Sequence, residues 1–579
     1  NASHYIDVNI LDVSWADATA TLNRTGLDSG TYTLNYSDAV GCSVSSVISV
    51  SATNQSPSTP LIGTITNISC AVNTGSIELT GLPSGNWTIN QTGTATSSYT
   101  GTTSYRTITG LASGTYTFTV SNDNGCSSIA TSPISIVNNS STEWNGTSWS
   151  NGTPDATKNA IISSVTPNSP FTANITACAL TINPSVIATV PSGITLTIIN
   201  AVTTNGQLIF ENNSSLVQDP ATTVNINTGN IIYKRTSAAM KNFDFSYWSS
   251  PVSGQTLFNL SPNTLSDKYF SYTGTAWKQE VASTTAMKPG IGYIIRTPKA
   301  GRWGNGENVV FPYSQPVQFV GVPNNGDISG QTVVSGNFYL IGNPYPSALN
   351  ANEFLFNNTN NHGILNGTIY FWTHNTAIQQ SGSKSIYLSD DYASLNGTGG
   401  VVARSGGQRP SGLIAAGQSF FGSAKASGTI QFKNNMRVAG NNTQFFKPAT
   451  TSKTETSERH RLWLNMTNSG GAFKQMLIGY VTGATNDFEG DFDGVSFDGN
   501  SFIDFYSVNN TKKLTIQGRA LPFEESDNVI VGYRSTIAGD FTISIDEADG
   551  LLTSQKVYLE DKQTNTIHDL TAQDYTFTT

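Results

Sequence analysis

The sequence predicts an all-β, multidomain chain, and three observations carry that expectation. The 579 residues amount to several domains of roughly 100–200 residues each. Charged residues are only 12%, against 53 Gly, 27 Phe and 22 Tyr. Thr, Tyr, Phe, Val and Ile suit a pleated, half-buried surface, while Gly and Asn supply tight turns. Finally, one stretch near the start repeats itself at a spacing of 84 residues.

The repeat is the first element in order. Residues Thr25–Thr33 (TGLDSGTYT) are echoed by Thr109–Thr117 (TGLASGTYT), and Gly41-Cys42 by Gly125-Cys126. Short alternating strands in a unit of this length predict immunoglobulin-like sandwiches, a truncated copy over 1–52 and a complete one over 53–138. Within the complete copy, Cys70 lies near the first strand and Cys126 after the last hairpin. Their positions suggest a Cys70–Cys126 disulfide, with buried free thiols as the alternative. The counterpart of Cys70 in the first copy would precede Asn1, which leaves Cys42 without its expected partner and reads as truncation. The start at Asn1, with no signal peptide, likewise suggests a mature or excised fragment. These copies resemble the tandem immunoglobulin-like repeats of large gliding-motility adhesins and other surface proteins of the Bacteroidota.

From 139 to 227 the rhythm changes. Leu180, Ile182, Val190, Ile194, Leu196, Ile198, Val202, Leu208, Phe210 and Leu216 recur in short steps separated by Gly or Asn. That spacing predicts a small β-solenoid, or else a meandering sheet. Cys178 would be a free, inward-facing core residue.

Residues 228–446 form an aromatic-rich β domain, with Tyr345-Pro346 a candidate cis peptide. Trp248, Trp277, Trp303 and Trp372 could line a glycan site. Alternation of apolar residues around Trp248 and Trp372 favours burial in a core instead. Trp303, in a Gly/Asn-rich loop, is the best candidate for a glycan contact.

After a polar linker over 447–457, regular strand spacing over 458–579 predicts a further β-sandwich. Its local feature is an acidic loop of Asp487, Glu489, Asp491 and Asp493, followed by Asp498. Carboxylates at alternate positions, closed by Gly, resemble the front of a calcium loop, so calcium is the one cofactor suggested. A solvated acidic turn is the alternative. Tyr247–Val252 (YWSSPV), Leu340–Ser347 (LIGNPYPS), Gly518–Phe523 (GRALPF), Gly532–Thr536 (GYRST) and Tyr558–Lys562 (YLEDK) together resemble large secreted Bacteroidota proteins with a type IX sorting signal. The resemblance implies export by the type IX secretion system, contact with its outer-membrane anchoring components, and display on or release from the cell surface. Family members continue beyond the final strand into a sorting segment, whereas this chain stops at Thr579.

The net charge of -9 argues against nucleic acid, which needs clustered Lys and Arg. No stretch reaches the ~20 apolar residues of a spanning helix. The five histidines form no HExxH pair, and neither a GxSxG elbow nor a phosphate loop occurs. Asp244 with Asp390-Asp391 is conceivable as a facing carboxylate pair, which leaves no motif. The leading expectation is a non-enzymatic adhesin- or stalk-like surface protein, with a glycan-binding or glycan-cleaving protein as the alternative.

Overall fold

A computed structural model describes residues 10–15, 27–38, 41–50, 55–70, 72–376, 378–381, 384–387, 391–440, 442, 458–496 and 502–579. The chain is mostly β, with 48% strand and 5% helix, as its composition predicts. It divides into two compact units, Asn1–Ser140 and Ser141–Thr579.

In the first unit, the complete repeat is a sandwich of two antiparallel sheets. One holds Leu61–Thr66, Gly75–Thr80 and Tyr105–Leu111; the other holds Trp87–Gly93, Ser97–Gly101, Gly114–Ser121 and Ile134–Ile136. Alternate residues point inward, and Ile77, Leu79, Trp87, Ile89, Tyr116, Phe118 and Val120 make the core. The repeated GTYT motif has a structural reason. Tyr116 Oη donates to the carbonyl of Ala112 at 3.0 Å, and Tyr32 Oη to that of Asp28 at 2.8 Å. Each phenol ties a strand back to the turn before it, as the tyrosine corner does in immunoglobulin-like domains.

The disulfide expectation requires correction. Cys70 is bonded to Cys178, and Cys126 is a free thiol. The sandwich explains why Cys126 is out of reach. Cys70 follows Ile68, which bridges Asn138 at the end of the sheet where Ile136 pairs with Gly114. Cys126 closes the turn beyond Ser121, at the other end of that strand. A strand of this length spans about 25 Å, whereas disulfide-linked Cα atoms lie within about 7 Å. Cys178 is buried as expected, but it is not free.

The second unit opens with a β-solenoid of about five turns over 141–233. Its parallel rungs stack on three faces. The first face carries Ser141–Trp144, Asn159–Ile162, Leu180–Ile182 and Val202–Thr204. The second carries Ile175–Ala177, Thr195–Ile198 and Ser215–Gln218. The third carries Ile187–Val190, Gln207–Phe210 and the start of Ile231–Met240. Ile162, Ile182, Val190, Leu196, Ile198, Val202, Leu208, Phe210 and Leu216 point inward and are buried. Gly206 permits the close stacking, because a Cβ there would lie 2.3 Å from the Val186 carbonyl oxygen.

The expected boundary at 228 is not a break. Ile231–Tyr233 pairs parallel to Leu208–Phe210, while the same strand, Ile231–Met240, pairs antiparallel to Tyr313–Gly321. One hydrophobic cluster therefore runs from the solenoid into the aromatic-rich region, from Ala160 to Ala416. That region is built on two sheets. A four-stranded sheet has the order Phe245–Trp248, Tyr293–Arg296, Tyr269–Tyr272, Trp277–Gln279. A five-stranded sheet has the order Phe338–Gly342, Ser419–Ala424, Leu365–Trp372, Tyr392–Leu395, Gly400–Val401. The Asn343–Ser347 turn is held by side chains rather than by a cis bond. Tyr345-Pro346 is not among the cis peptides, a second correction. Instead, Asn343 Nδ2 donates to the carbonyls of Ser347, Ile414 and Ala415, and Tyr345 Oη donates to that of Gly326.

Among the described residues, the C-terminal region holds an eight-stranded sheet curled into a half-barrel, rather than the expected sandwich, and a two-stranded hairpin of Tyr558–Asp561 with Thr566–Asp569. The half-barrel's axis is the hairpin Arg459–Asn468 and Phe473–Val481, and its core includes Leu464, Met466, Met476, Ile478, Phe505 and Phe541.

Candidate functional site

The aromatic-rich region carries the densest side-chain constellation, and period-2 alternation builds it. In Phe245–Trp248, Trp248 faces the solenoid-side core, while Phe245 and Tyr247 face the other way. Tyr269 and Phe270 divide in the same manner, as do Tyr293 and Ile294. The five-stranded sheet answers with Leu340, Tyr370, Trp372 and Phe421, whose neighbours Ile341, Ile369, Phe371 and Phe420 fill a separate core. Both sheets are thus apolar on two faces, and a layer of aromatic rings lies between them.

Phe421 is the hub of that layer. Its ring centroid lies 5.2 Å from Tyr272, 5.8 Å from Trp277, 5.9 Å from Tyr392 and 6.2 Å from Tyr247. Tyr247 stacks flat on Trp372 at 5.9 Å. The layer is open at one rim: Trp277 is 42% exposed, and Tyr272 and Tyr392 are half-buried. Tyr247 and Tyr392 join their phenols at 2.7 Å. Burial raises the pKa of both hydroxyls, so they remain neutral donors and acceptors at physiological pH.

Beneath the rings is a buried polar core. Asp244 Oδ2 bonds His374 Nδ1 at 2.8 Å, and Asp244 Oδ1 accepts from Trp372 Nε1 at 3.0 Å and from the Phe245 amide at 2.7 Å. His374 holds a positive φ of 60°, a conformation its neighbours must enforce. Asp391 accepts from the amide and hydroxyl of Thr376. Burial raises its pKa, hydrogen bonds from Ser405 and Thr376 oppose the rise, and the Asp244 charge adds to it. Both Asp244 and Asp391 are 0% exposed. The Asp244 oxygens are committed to the Trp372 indole, His374 and the Phe245 amide, and those of Asp391 to Thr376. Asp390 lies outside the described residues.

The acidic loop is placed elsewhere. Asp493 Oδ2 accepts from the Glu489 amide at 2.7 Å and Oδ1 from the Gly518 amide at 2.9 Å. Its pKa is pushed up to about 6, chiefly by burial; the two amides and Arg519 oppose the shift, and Glu489 reinforces it. Glu489 Oε2 accepts from the Thr485 amide. Asp491 meets His362 Nε2 at 2.7 Å and Lys425 Nζ at 3.4 Å. The loop backbone is clamped as well: Gly397 donates to the Asp491 carbonyl, Thr398 to that of Phe492 and Thr368 to that of Asp493. Among the described residues, no three His, Cys, Asp or Glu side chains converge as a metal-holding group. Asp487 is exposed, and Asp498 lies outside the described residues. The loop is a clasp between the five-stranded sheet and the half-barrel.

Trp303 belongs to neither constellation. Its indole N–H donates to the Lys299 carbonyl, and it is half-buried against Met240, Val309, Tyr313 and Phe311. Sequence reasoning grouped Trp277 with three other tryptophans and missed its pairing with Tyr272 and Phe421. The legible signal was the Tyr-Phe-Ser-Tyr alternation followed by Trp across a short Thr/Gly turn. Phe421, which lies far along the chain, had no such signal.

A family model described as a domain of unknown function, DUF8693, matches residues 137–579. The chain belongs to the DUF8693 family. The DUF8693 match starts just before the solenoid's first rung, Ser141–Trp144, and therefore covers the whole second unit. The matched span takes in the solenoid, the aromatic layer and the half-barrel; the repeat-bearing residues of the first unit stand before it. No curated protein matches the chain. No helix among the described residues is long and apolar enough to cross a membrane.

Proposed function

We propose that this DUF8693 protein is a non-enzymatic extracellular surface protein, adhesin- or stalk-like, exported by the type IX secretion system. The observation that carries the reading is the Cys70–Cys178 disulfide, because such bonds persist in oxidising compartments and are rare in the cytosol. Two things support it further. Among the buried ionisable groups, Asp244 bonds the Trp372 indole and His374, and Asp391 bonds Thr376. The motifs YWSSPV, LIGNPYPS and GRALPF resemble secreted Bacteroidota proteins. A second reading, glycan binding, is favoured by the open rim at Tyr272 and Trp277.

The test is protease shaving and surface biotinylation of intact cells producing the full protein, with and without a working type IX system. Surface accessibility that disappears when export is blocked is the expected result. A cytoplasmic protein with reduced Cys70 and Cys178 would overturn the reading.

A further inference from the structure

We infer that the Tyr272–Trp277 rim binds the pyranose faces of a neutral polysaccharide. This rests on the glycan-binding reading and is independent of the route of export.

Trp277 is the exposed member among the tryptophans whose side chains the structure describes. It lies on Trp277–Gln279, the edge strand of its sheet, where burying a ring would have cost nothing in pairing. Instead the indole stands 5.0 Å from Tyr272 and 5.8 Å from Phe421 at interplanar angles of 70° and 82°. Neither neighbour stacks flat upon it, and the ring, braced on these two sides, keeps 42% of its surface exposed.

The bracing is rigid. The Thr273–Ala276 turn closes through the Thr273 amide and hydroxyl, both bonded to the Ala276 carbonyl. Gly274 sits so close to the Tyr339 ring that a Cβ would meet it at 2.9 Å. A fixed ring binds with little ordering cost.

The polar surroundings choose the ligand class. Thr275 and Gln279, two positions to either side of Trp277 along the chain, are exposed and offer an uncharged hydroxyl and an amide. The charge on the same strand is paired: Lys278, whose position in the strand turns it to the opposite face, meets Glu280 at 3.0 Å. A pyranose ring presents axial C–H groups to an aromatic face and hydroxyls around its edge, which matches an uncharged rim of this kind.

The purified full chain should be run by affinity electrophoresis in gels containing a neutral glucan, mannan or galactan, with alginate as the charged contrast. At least one neutral polysaccharide is expected to retard it. Trp277→Ala should weaken that retardation by about ten-fold, Tyr272→Phe should leave most of it, and Trp303→Ala should not change it. Equal melting temperatures of these variants would show that folding is intact. Retardation by none of the neutral polysaccharides, by alginate alone, or undiminished in Trp277→Ala would overturn the proposal. Because purified protein is used, failure here leaves surface export standing, and failure of export leaves binding standing.

Discussion

Asp493 is 3% exposed and takes two backbone amides on its two oxygens, yet its pKa rises to about 6 because burial outweighs them. A carboxyl with a raised folded-state pKa holds its proton more tightly folded than unfolded. Its contribution is most favourable below about 4, the ordinary carboxylate value, declines as pH rises towards about 6, and is flat above that. Asp493→Asn cannot ionise, so its melting temperature relative to wild type should climb between pH 4 and 6.5 and then level off. A pH series of thermal melts checks this; a constant difference across the range would contradict it. Asp244 matters through the donors it accepts. Asp244→Ala would strand the donors of Trp372, His374 and Phe245. A loss of about 3 kcal/mol is expected, measured by urea denaturation. Neither residue's role was legible locally. Asp244 and His374 are 130 positions apart, and only the packing of two sheets brings them together.

At the scale of elements, legibility follows how local the cause is. The solenoid could be read because each rung repeats its inward apolar residue within about twenty positions, and the repeat motif because its tyrosine bonds four residues back. The solenoid's end could not, since Ile231–Met240 satisfies a parallel neighbour and an antiparallel one at once. Cys70–Cys178 escaped for a related reason: the sandwich sets Cys70 and Cys126 at opposite ends of a strand, which spacing along the chain does not reveal. Non-reducing peptide mapping should recover a linked pair of peptides holding Cys70 and Cys178, with Cys126 alkylated. Within the solenoid, Leu196 lies in register between Ile175 and Leu216 and is fully buried. Leu196→Ala should cost about 3 kcal/mol, read by chemical denaturation. Ile187 lies on the same coil but is 55% exposed, so Ile187→Ala should fall within about 0.5 kcal/mol.

At the scale of the second unit, the question is whether the aromatic region and the half-barrel unfold as one. The polar linker between them suggests independence. Their contacts say otherwise. Val401 shares a small core with Trp463, Leu477 and Ile516, and Trp463 Nε1 donates to the Gly400 carbonyl at 2.9 Å. The Trp463 ring is flanked by Arg409 at 4.1 Å and Arg461 at 5.0 Å. Arg409 reaches on to Asp546 and Glu547, and Arg461 pairs with Asp549 while donating to the Thr398 carbonyl. On the other flank, Asp491 holds His362 and Lys425. Exposed ion pairs are worth little singly, but here they border a buried apolar contact and cation–π pairs of about 0.5–2 kcal/mol each. Calorimetry of the full chain should therefore give one cooperative transition for residues 141–579, separate from that of the first unit. Asp491→Lys with Arg409→Glu replaces attraction by repulsion on both flanks while leaving each interior core untouched. The double variant should split the transition, with the half-barrel melting several degrees away from the solenoid-linked core. An unsplit transition would mean that Val401, Trp463, Leu477 and Ile516 alone couple the two, and that the acidic loop contributes only local order.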